Sequence, residues 1–384
     1  MEMTRTIHPI GQGAFYTECF EDGDTTYNVV YDCGSETTFS GRGKLIDNEI
    51  TQTFKKGEVI NALFISHFHN DHINGIEKLL KHCKVEYIFL PIIDNISKLL
   101  LITSYDNKDF VDFILSPSDY IKRISDNTIV ISVNVDNSEY DNNPENDNNP
   151  KGVFDLSGES SKTDGEIESG TRIFLGSCNV KWEYIPFNFN NQQLINDIEQ
   201  EYKKHGLDIP DANDISKTEF DFAKTIFKDV IKSNKKRNAH SMILYSGANN
   251  PKDWGCRVLY NNFCGHKYCI HRCYYHEIAT GCIYFGDFDL NIQGALKNIS
   301  SKYNMVKDNI SIMQVPHHGS IHNFNSNIFS TFSRLSILFI SAGEQNKYRH
   351  PSSTVMKNIL KTGHHLRLVT ENKSSMLQLI YEEM

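Results

Sequence analysis

Three histidines and one aspartate lie within a stretch of six residues, at His67, His69, Asp71 and His72. Imidazole nitrogens and carboxylate oxygens are ligands that suit zinc, manganese and iron. A tight loop can direct alternate side chains at one metal ion and the others at a neighbouring ion. A chance cluster of surface histidines is the alternative interpretation, but it does not explain this density of ligand types. We therefore predict a site for two divalent metal ions, zinc or manganese, that begins at these four residues.

The chain around this cluster has the pattern of a buried strand, a loop and a helix. Residues 59–66 (VINALFIS) form an apolar run of strand length, as in a strand that is covered on both faces. After the cluster, apolar residues recur at helical spacing over 73–80, and residues 87–91 have the composition of a further short strand. The first sixty residues alternate β-like runs with glycine-containing turns, which predicts an antiparallel meander. A metal-binding motif needs structural context of this kind.

The composition is that of a globular protein, with 39% hydrophobic and 23% charged residues in a chain of 384. No apolar stretch is long enough to span a membrane, and the N-terminal residues lack the pattern of a secretion signal, so we predict a cytoplasmic protein. Nine cysteines at irregular spacing indicate reduced thiols rather than a disulfide framework. The formal net charge of −9 gives no overall attraction to nucleic acid, although local patches and bound metal ions can reverse the sign.

Several short motifs are similar to those of the metallo-β-lactamase superfamily, in which His-x-His-x-Asp-His opens a two-metal site. These motifs are residues 10–13 (IGQG), 30–34 (VYDCG), 285–287 (FGD), 315–320 (VPHHGS), and 341–343 (SAG) together with 350–352 (HPS). The last two resemble a branch that contains the hydrolase domain of ComEC-type competence proteins and related phosphodiesterases. The resemblance covers residues 5–95 and 238–380. It implies an α/β fold, a four-layer αββα sandwich in which residues 1–384 form a single hydrolase domain with insertions.

The resemblance also implies a set of metal ligands. One ion would be held by His67, His69 and His240, the other by Asp71, His72 and one of His317 and His318, and Asp287 would be shared. The spacing does not distinguish which of the two adjacent histidines binds a metal and which faces the substrate. His240 could instead be a core residue that is hydrogen-bonded to a carbonyl group. Asp287 could instead begin a helix, although Asp289 could serve that purpose. In the superfamily, the aspartate that corresponds to Asp32 supports the site from behind the ligands.

The catalytic residues implied by this arrangement are Asp71, Asp287, His318 and His350. His350 lies in a Tyr-Arg-His-Pro turn with Arg349 beside it. We predict that His350 contacts a substrate oxyanion or protonates a leaving group. A solvated histidine in a turn is the alternative interpretation.

Three segments interrupt the predicted core. Residues 136–170 are polar and poor in aliphatic side chains, which predicts an exposed, flexible loop. Residues 189–237 have the pattern of two inserted helices, and their basic end at 232–237 is either a solvated helix terminus or a patch that attracts a polyanion. Residues 250–282 form a hairpin rich in cysteine and histidine. Its spacing Cys264-x4-Cys269-x3-Cys273 does not fit a paired Cys-x2-Cys zinc ribbon, so reduced thiols are favoured over a structural zinc site.

These features lead to three hypotheses about function. The first is hydrolysis of a phosphodiester, in a nucleic acid or a nucleotide, by a hydroxide that two metal ions activate. The second is hydrolysis of a thioester, lactone or amide by the same site, and the third is a regulatory module whose insertions bind a protein partner. The sequence has no Gly-x-Ser-x-Gly elbow and no phosphate-binding loop, which argues against other hydrolase and triphosphatase classes. No membrane partner is predicted.

Overall fold

The computed structural model describes residues 1–37, 44–105, 107–136, 152–157, 162–175, 181–234, 240–260, 271–275 and 278–383, with only the backbone at 190, 231–234, 257–260 and 271–275. Two β-sheets face each other, and the strands are numbered in chain order. Within the described residues, the first sheet has ten strands in the order β13-β12-β18-β1-β2-β3-β4-β5-β6-β8. Its strands are β1 (Glu2–Ile7), β2 (Gly13–Asp22), β3 (Thr25–Ser35), β4 (Val59–Phe64), β5 (Lys84–Pro91), β6 (Ile129–Val133), β8 (Gly165–Ile167), β12 (Trp254–Tyr260), β13 (His271–Tyr275) and β18 (Leu377–Glu383).

The second sheet has eight strands in the described part of the chain, in the order β17-β16-β15-β14-β11-β10-β9-β7. Its strands are β7 (Val153–Asp155), β9 (Arg172–Phe174), β10 (Trp182–Asn190), β11 (His240–Ala248), β14 (Gly281–Tyr284), β15 (Ile310–Gln314), β16 (Ile337–Ser341) and β17 (His365–Val369). Strands β3, β4 and β5 of the first sheet are parallel, and so are β14, β15, β16 and β17 of the second. The loops that follow the carboxyl ends of these parallel strands carry the candidate site.

Helices cover the outer faces of both sheets. The helices are α1 (Leu45–Thr53), α2 (Asn70–Ile73), α3 (Ile76–His82), α4 (Asn95–Ser104), α5 (Lys108–Leu115), α6 (Pro117–Ile124), α7 (Gln192–Lys204), α8 (Lys217–Asn234), α9 (Ala295–Lys302), α10 (Ile328–Thr331) and α11 (Ser353–Lys361). One apolar cluster joins α1 and α3–α8 to the first sheet, a second fills the space between the sheets, and a third joins α9, α10 and α11 to the second sheet. The predicted α/β sandwich of four layers is therefore confirmed.

Local sequence explains how the inserted helices form. Asn191 caps α7 because its side chain accepts a hydrogen bond from the Leu194 amide, and the buried residues of α7 recur at helical spacing on one face. That face joins the apolar cluster that α4 and α8 share. None of the helices in the described ranges is both long and apolar enough to cross a membrane.

The three interrupting segments are described only in part. Residues 136–170 contain two short strands, β7 and β8, at sheet edges, so the described part of this segment is not entirely loop; residues 137–151 and 158–161 lie outside the described residues. Within the segment 250–282, strands β12 and β13 pair antiparallel, and β12 joins the first sheet through β18. Most of the segment's cysteine and histidine residues, and positions 235–237 of the basic run, also lie outside the described residues.

Candidate functional site

The loop after β4 carries the histidine cluster, and a buried aspartate fixes its shape. Asp32, on β3, accepts hydrogen bonds from both the backbone amide and the hydroxyl of Ser66, each at 2.7 Å. His67 follows Ser66 directly, and His69 precedes the short helix α2, which contains Asp71 and His72. His67 and His69 therefore precede α2, whereas Asp71 and His72 lie within it.

Two glycines allow the loops of the site to approach each other closely. A Cβ atom at Gly34 would lie 2.6 Å from the backbone of Asp71 and His72, so β3 can support α2 only with glycine at this position. Gly286 has a φ of +54°, and a Cβ atom there would lie 2.7 Å from the Ser66 side chain. These contacts give a physical reason for the glycines of the VYDCG and FGD motifs.

Asp287 lies at the centre of the site, and its two carboxylate oxygens face different histidines. Its Oδ2 atom lies near His67 Nε2 (3.5 Å), His69 Nδ1 (3.8 Å) and His317 Nε2 (3.5 Å). Its Oδ1 atom lies near His72 Nε2 (3.4 Å) and His318 Nε2 (3.8 Å). Asp71 Oδ2 lies 3.0 Å from His318 Nε2. Asp287 thus lies between two sets of histidine nitrogens, and its role as a shared metal ligand stays a prediction.

Potential ligand atoms form two groups among the described residues, and the atoms of each group lie within 4.8 Å of one another. One group comprises His67, His69 and Asp287, and the other comprises Asp71, His72 and His318. In the first group, two imidazole nitrogens, His67 Nε2 and His69 Nδ1, face each other at 3.0 Å. In the second, His72 Nε2 is buried and makes no hydrogen bond to any described residue. Nitrogen and carboxylate donors that converge in this way fit divalent zinc or manganese ions.

Hydrogen bonds behind the rings fix their orientation. The Nδ1 atom of His72 donates to Asp32 Oδ2 at 2.7 Å, and that of His318 donates to the Ser341 carbonyl oxygen at 2.8 Å. Because the hydroxyl of Ser66 already donates to Asp32, Nδ1 of His67 donates to Ser66 Oγ, at 2.8 Å. Each of these rings therefore presents the lone pair of Nε2 to the interior when it is neutral. Such outer hydrogen bonds set the tautomer and orientation of metal-binding histidines.

Asn323 is a supporting residue that the sequence analysis missed. Its Nδ2 group donates to the Asp287 carbonyl oxygen at 3.1 Å, and its Oδ1 atom accepts a hydrogen bond from His317 Nδ1 at 3.0 Å. Asn323 therefore orients both the backbone of Asp287 and the ring of His317. No sequence pattern marks this residue, because a single asparagine in a loop has no characteristic spacing to its partners.

Burial and mutual charge separate the pKa values of the histidines. Burial lowers the pKa of His67 to about 3, and the nearby His72 contributes to this shift. Burial also opposes the protonation of His72, but the carboxylates of Asp32 and Asp71 outweigh it and hold the pKa of His72 well above its usual value. The pKa of His318 is raised because its contact with Asp71 and the charge of Asp287 outweigh burial. The surrounding carboxylates thus favour protonation of His72 and His318 when no metal ion is present.

The structure assigns different positions to the two adjacent histidines. His317 and His318 both have positive φ angles, +49° and +52°, and this backbone directs their rings to different sides of Asp287. His318 joins the group of Asp71 and His72, whereas His317 faces the Oδ2 side, next to His67 and His69. Burial lowers the pKa of His317.

The position of His240 differs from the predicted one. Its Nε2 atom donates to Asp94 Oδ2 at 2.7 Å, and it belongs to neither group of converging ligand atoms among the described residues. Asp94 follows β5 and also accepts a hydrogen bond from the Ser97 amide as the cap of α4. This carboxylate holds the ring of His240, which the sequence could not indicate because the two residues are 146 positions apart. The geometry gives no support to the metal-ligand role of His240.

His350 lies at the rim of the site, outside the two ligand groups. Its ring centroid is 5.6 Å from that of His317 and 5.8 Å from that of Tyr348. Burial, with further contributions from His317 and His318, lowers the pKa of His350 to about 4. The ring is therefore neutral near pH 7, which suits a hydrogen bond to a substrate oxygen better than proton donation to a leaving group.

Comparisons with known proteins give a partial match. Residues 20–95 match the family model of the metallo-beta-lactamase superfamily. A search of curated protein sequences finds no match. Similar solved structures include the crystal structure of unliganded yeast PDE1, with 10% sequence identity, a TM-score of 0.38 and coverage of 100% of each chain. The segment that contains His67, His69, Asp71 and His72 is thus similar to the metallo-beta-lactamase superfamily.

Proposed function

We propose that this protein is a metal-dependent hydrolase that cleaves phosphodiesters, in a nucleic acid or a nucleotide. One observation carries the proposal: each carboxylate oxygen of Asp287 faces its own set of histidine nitrogens. Neutral imidazole lone pairs and a carboxylate repel each other at these distances unless a proton or a metal cation lies between them. A buried carboxylate that faces two such sets is therefore suited to bridging two divalent ions.

The residues divide into holding and positioning roles. His67 and His69 with Asp287 Oδ2 would hold one ion, and Asp71, His72 and His318 would hold the other. When bound, two such ions lower the pKa of a water molecule and stabilise negative charge on the reacting phosphate. Asp32, Ser66 and the Ser341 carbonyl group keep the rings in the orientation that exposes Nε2. Nothing in this arrangement requires a nucleophile from the protein.

The choice of a phosphodiester rests on the rim of the site. Lys347 and Arg349 are exposed next to His350, whereas the chain as a whole has a net charge of −9. Local positive charge beside a catalytic site attracts an anionic substrate even when the net charge of the protein is negative. The similarity of residues 315–320 to the VPHHGS segment of the ComEC-type branch supports the same substrate class and stays a prediction.

Metal content and the hydrolysis of bis(p-nitrophenyl) phosphate test the proposal together. The wild-type protein, loaded with zinc or manganese, should bind about two ions per chain and hydrolyse the substrate. The Asp287→Ala variant should lose at least one ion and reduce kcat/KM by about 100-fold or more, since even the loss of an outer partner costs about 10- to 100-fold. The matched control is Asp308→Ala, because Asp308 is exposed and its side chain is remote from the loops of the site.

Three results would contradict the proposal or redirect it. Protein that binds no metal under these conditions, or activity that survives Asp287→Ala, would exclude the two-metal hydrolase. Cleavage of a thioester, lactone or amide without cleavage of phosphodiesters would select the carbonyl substrates instead. Metal binding without hydrolysis of any of these classes would favour a regulatory module that binds a protein partner.

A further inference from the structure

A short loop at the rim of the site presents a tyrosine between two basic residues. The loop follows β16 and leads to α11, and Lys347, Tyr348 and Arg349 are all exposed on it. Tyr348 retains 41% of its accessible surface, whereas many other tyrosines of the described chain are buried in its core. The proposed function uses the two cations, but it does not use the exposed aromatic ring of Tyr348 between them.

The loop is held in a defined conformation rather than left free. Asn346 accepts a hydrogen bond from the His350 amide at 2.9 Å, and its Nδ2 group donates to the carbonyl oxygens of Gly343 (2.7 Å) and His350 (2.6 Å). Arg349 has a φ of +57°, a conformation that is uncommon for a residue other than glycine and persists where the surrounding structure imposes it. The side chains of the loop are therefore presented from a preorganised backbone.

A row of rings connects this loop to the bridging carboxylate. His317 Nε2 lies 3.5 Å from Asp287 Oδ2, and the His317 and His350 rings follow at 5.6 Å between centroids. The His350 and Tyr348 rings come next, at 5.8 Å with an interplanar angle of 18°. The rings of His317 and His350 thus lie between Tyr348 and Asp287. A nucleoside whose phosphate lies at Asp287 could place its base near Tyr348.

The cations beside Tyr348 can turn to phosphate groups. Lys347 Nζ lies 4.8 Å from the centroid of the Tyr348 ring and 3.5 Å from Glu36 Oε2, while 68% of the lysine side chain is exposed. An exposed ion pair of this kind holds a lysine weakly, so an anionic ligand can displace the carboxylate. Stacking of bases on aromatic rings, with nearby cations for the backbone, is how proteins bind single-stranded nucleic acid without sequence preference.

We infer that the loop Asn346–His350 is a subsite for the base of a phosphodiester substrate. The nucleobase stacks on Tyr348, and Lys347 and Arg349 contact the phosphates that flank the scissile bond. The inference rests on the proposed function and narrows it to phosphodiesters that carry a base, whether in a single-stranded nucleic acid or in a cyclic mononucleotide. Base-free phosphodiesters would lack the stacking contact.

Binding of a ligand that a phosphodiesterase does not cleave tests the subsite apart from catalysis. The affinity of the metal-loaded protein for thymidine 5′-monophosphate and for deoxyribose 5-phosphate would be measured by calorimetry. Wild-type protein should prefer the base-bearing ligand by about 10-fold, the scale of one base stacked on an aromatic ring. Tyr348→Ala should abolish this preference and Tyr348→Phe should keep it. Equal affinity of the wild-type protein for the two ligands would overturn the inference.

Charge and hydrolysis provide two further readouts. Lys347→Ala should weaken the binding of both ligands by a similar factor and reduce its salt dependence, whereas Lys361→Ala, an exposed lysine at the end of α11, should not. In hydrolysis, thymidine dinucleotide or a cyclic nucleotide should exceed an abasic dinucleotide in kcat/KM, and the faster of the first two identifies the source of the base. Equal rates on the abasic substrate would overturn the subsite alone, whereas no cleavage of any phosphodiester would overturn the proposed function.

Discussion

Two of the buried polar clusters in the described part of the chain differ in what completes them. In one, Arg5 of β1 pairs with Glu18 of β2 at 2.7 Å, and Glu18 also accepts hydrogen bonds from Tyr184, Ser246 and Tyr284 of the other sheet. The remaining donors of the Arg5 guanidinium reach the carbonyl oxygens of Thr280 and Ser246. No atom of this network is among the buried polar atoms of the described chain that lack a hydrogen bond.

The cluster around Asp287 has no such internal balance. Four of its histidines direct Nε2 atoms toward one carboxylate, His69 directs its Nδ1 atom there, and nitrogens of His67 and His69 face each other at 3.0 Å. Charges removed from water are costly unless they are paired and hydrogen-bonded. The Arg5–Glu18 network meets this requirement with its own residues, whereas the Asp287 cluster needs protons or cations. The first cluster is therefore expected to act on stability and the second on metal binding.

The largest expected effect comes from a substitution in the Arg5–Glu18 network. Glu18→Gln leaves the buried guanidinium of Arg5 without its counter-charge, so we expect the free energy of unfolding to fall by about 3–5 kcal/mol. Equilibrium unfolding in urea measures this change. Glu21→Gln, an exposed glutamate on the same strand, is the control and should change it by about 0.5 kcal/mol or less. A folded Glu18→Gln protein should still bind two metal ions. A variant that lost metal binding but kept full stability would contradict the assignment of this network to stability.

The second prediction concerns the anionic support of His72. Asp32→Asn removes the charge that faces His72 Nδ1, and asparagine tolerates the φ of +56° at this position. Metal affinity should fall by about 10- to 100-fold, measured by competition with a chromophoric chelator. Asp24→Asn, in the exposed turn between β2 and β3, provides the matched control. Unchanged affinity in Asp32→Asn would mean that His72 does not bind metal.

A smaller effect is expected at Asn323. Asn323→Ala removes the hydrogen bond that orients His317. The control is Asn327→Ala, because Asn327 is exposed and lies near Asn323 in the sequence. We expect kcat/KM for a phosphodiester to fall by about 10-fold, at the lower end of effects from outer partners of a metal site. An activity equal to that of Asn327→Ala would show that the orientation of His317 does not matter for catalysis.

The smallest expected effect is a dependence of metal binding on pH. The raised pKa values of His72 and His318 favour protonation of these rings when no metal is bound. A metal ion needs the neutral ring, so binding releases protons and affinity falls as the pH is lowered. Titration calorimetry in two buffers of different ionisation enthalpy gives the number of protons released. Binding that releases no protons between pH 6 and 8 would contradict the assignment of both rings.

Much of the site could be predicted from the sequence. Four ligand candidates in six residues, after an apolar strand, give a local signal that does not depend on the rest of the fold. The resemblance of residues 285–287 to the FGD motif added Asp287 to these ligand candidates, and the structure places its carboxylate among their nitrogens. His240 showed the limit of this reasoning: its position before a strand matched a ligand, yet its ring binds Asp94. A carboxylate 146 residues away leaves no trace in the local pattern.

The sequence by itself determined the chemistry available, namely histidine and carboxylate ligands on loops after buried strands, and the αββα fold that brings such loops together. Only the tertiary structure decided which side of Asp287 each ring faces, because the positive φ angles of His317 and His318 turn adjacent rings apart. The roles of Asn323 and of the Arg5–Glu18 network also depended on the fold, since their hydrogen bonds join different strands and loops. Ligand types are a local property, whereas orientation and charge balance arise from contacts between distant segments.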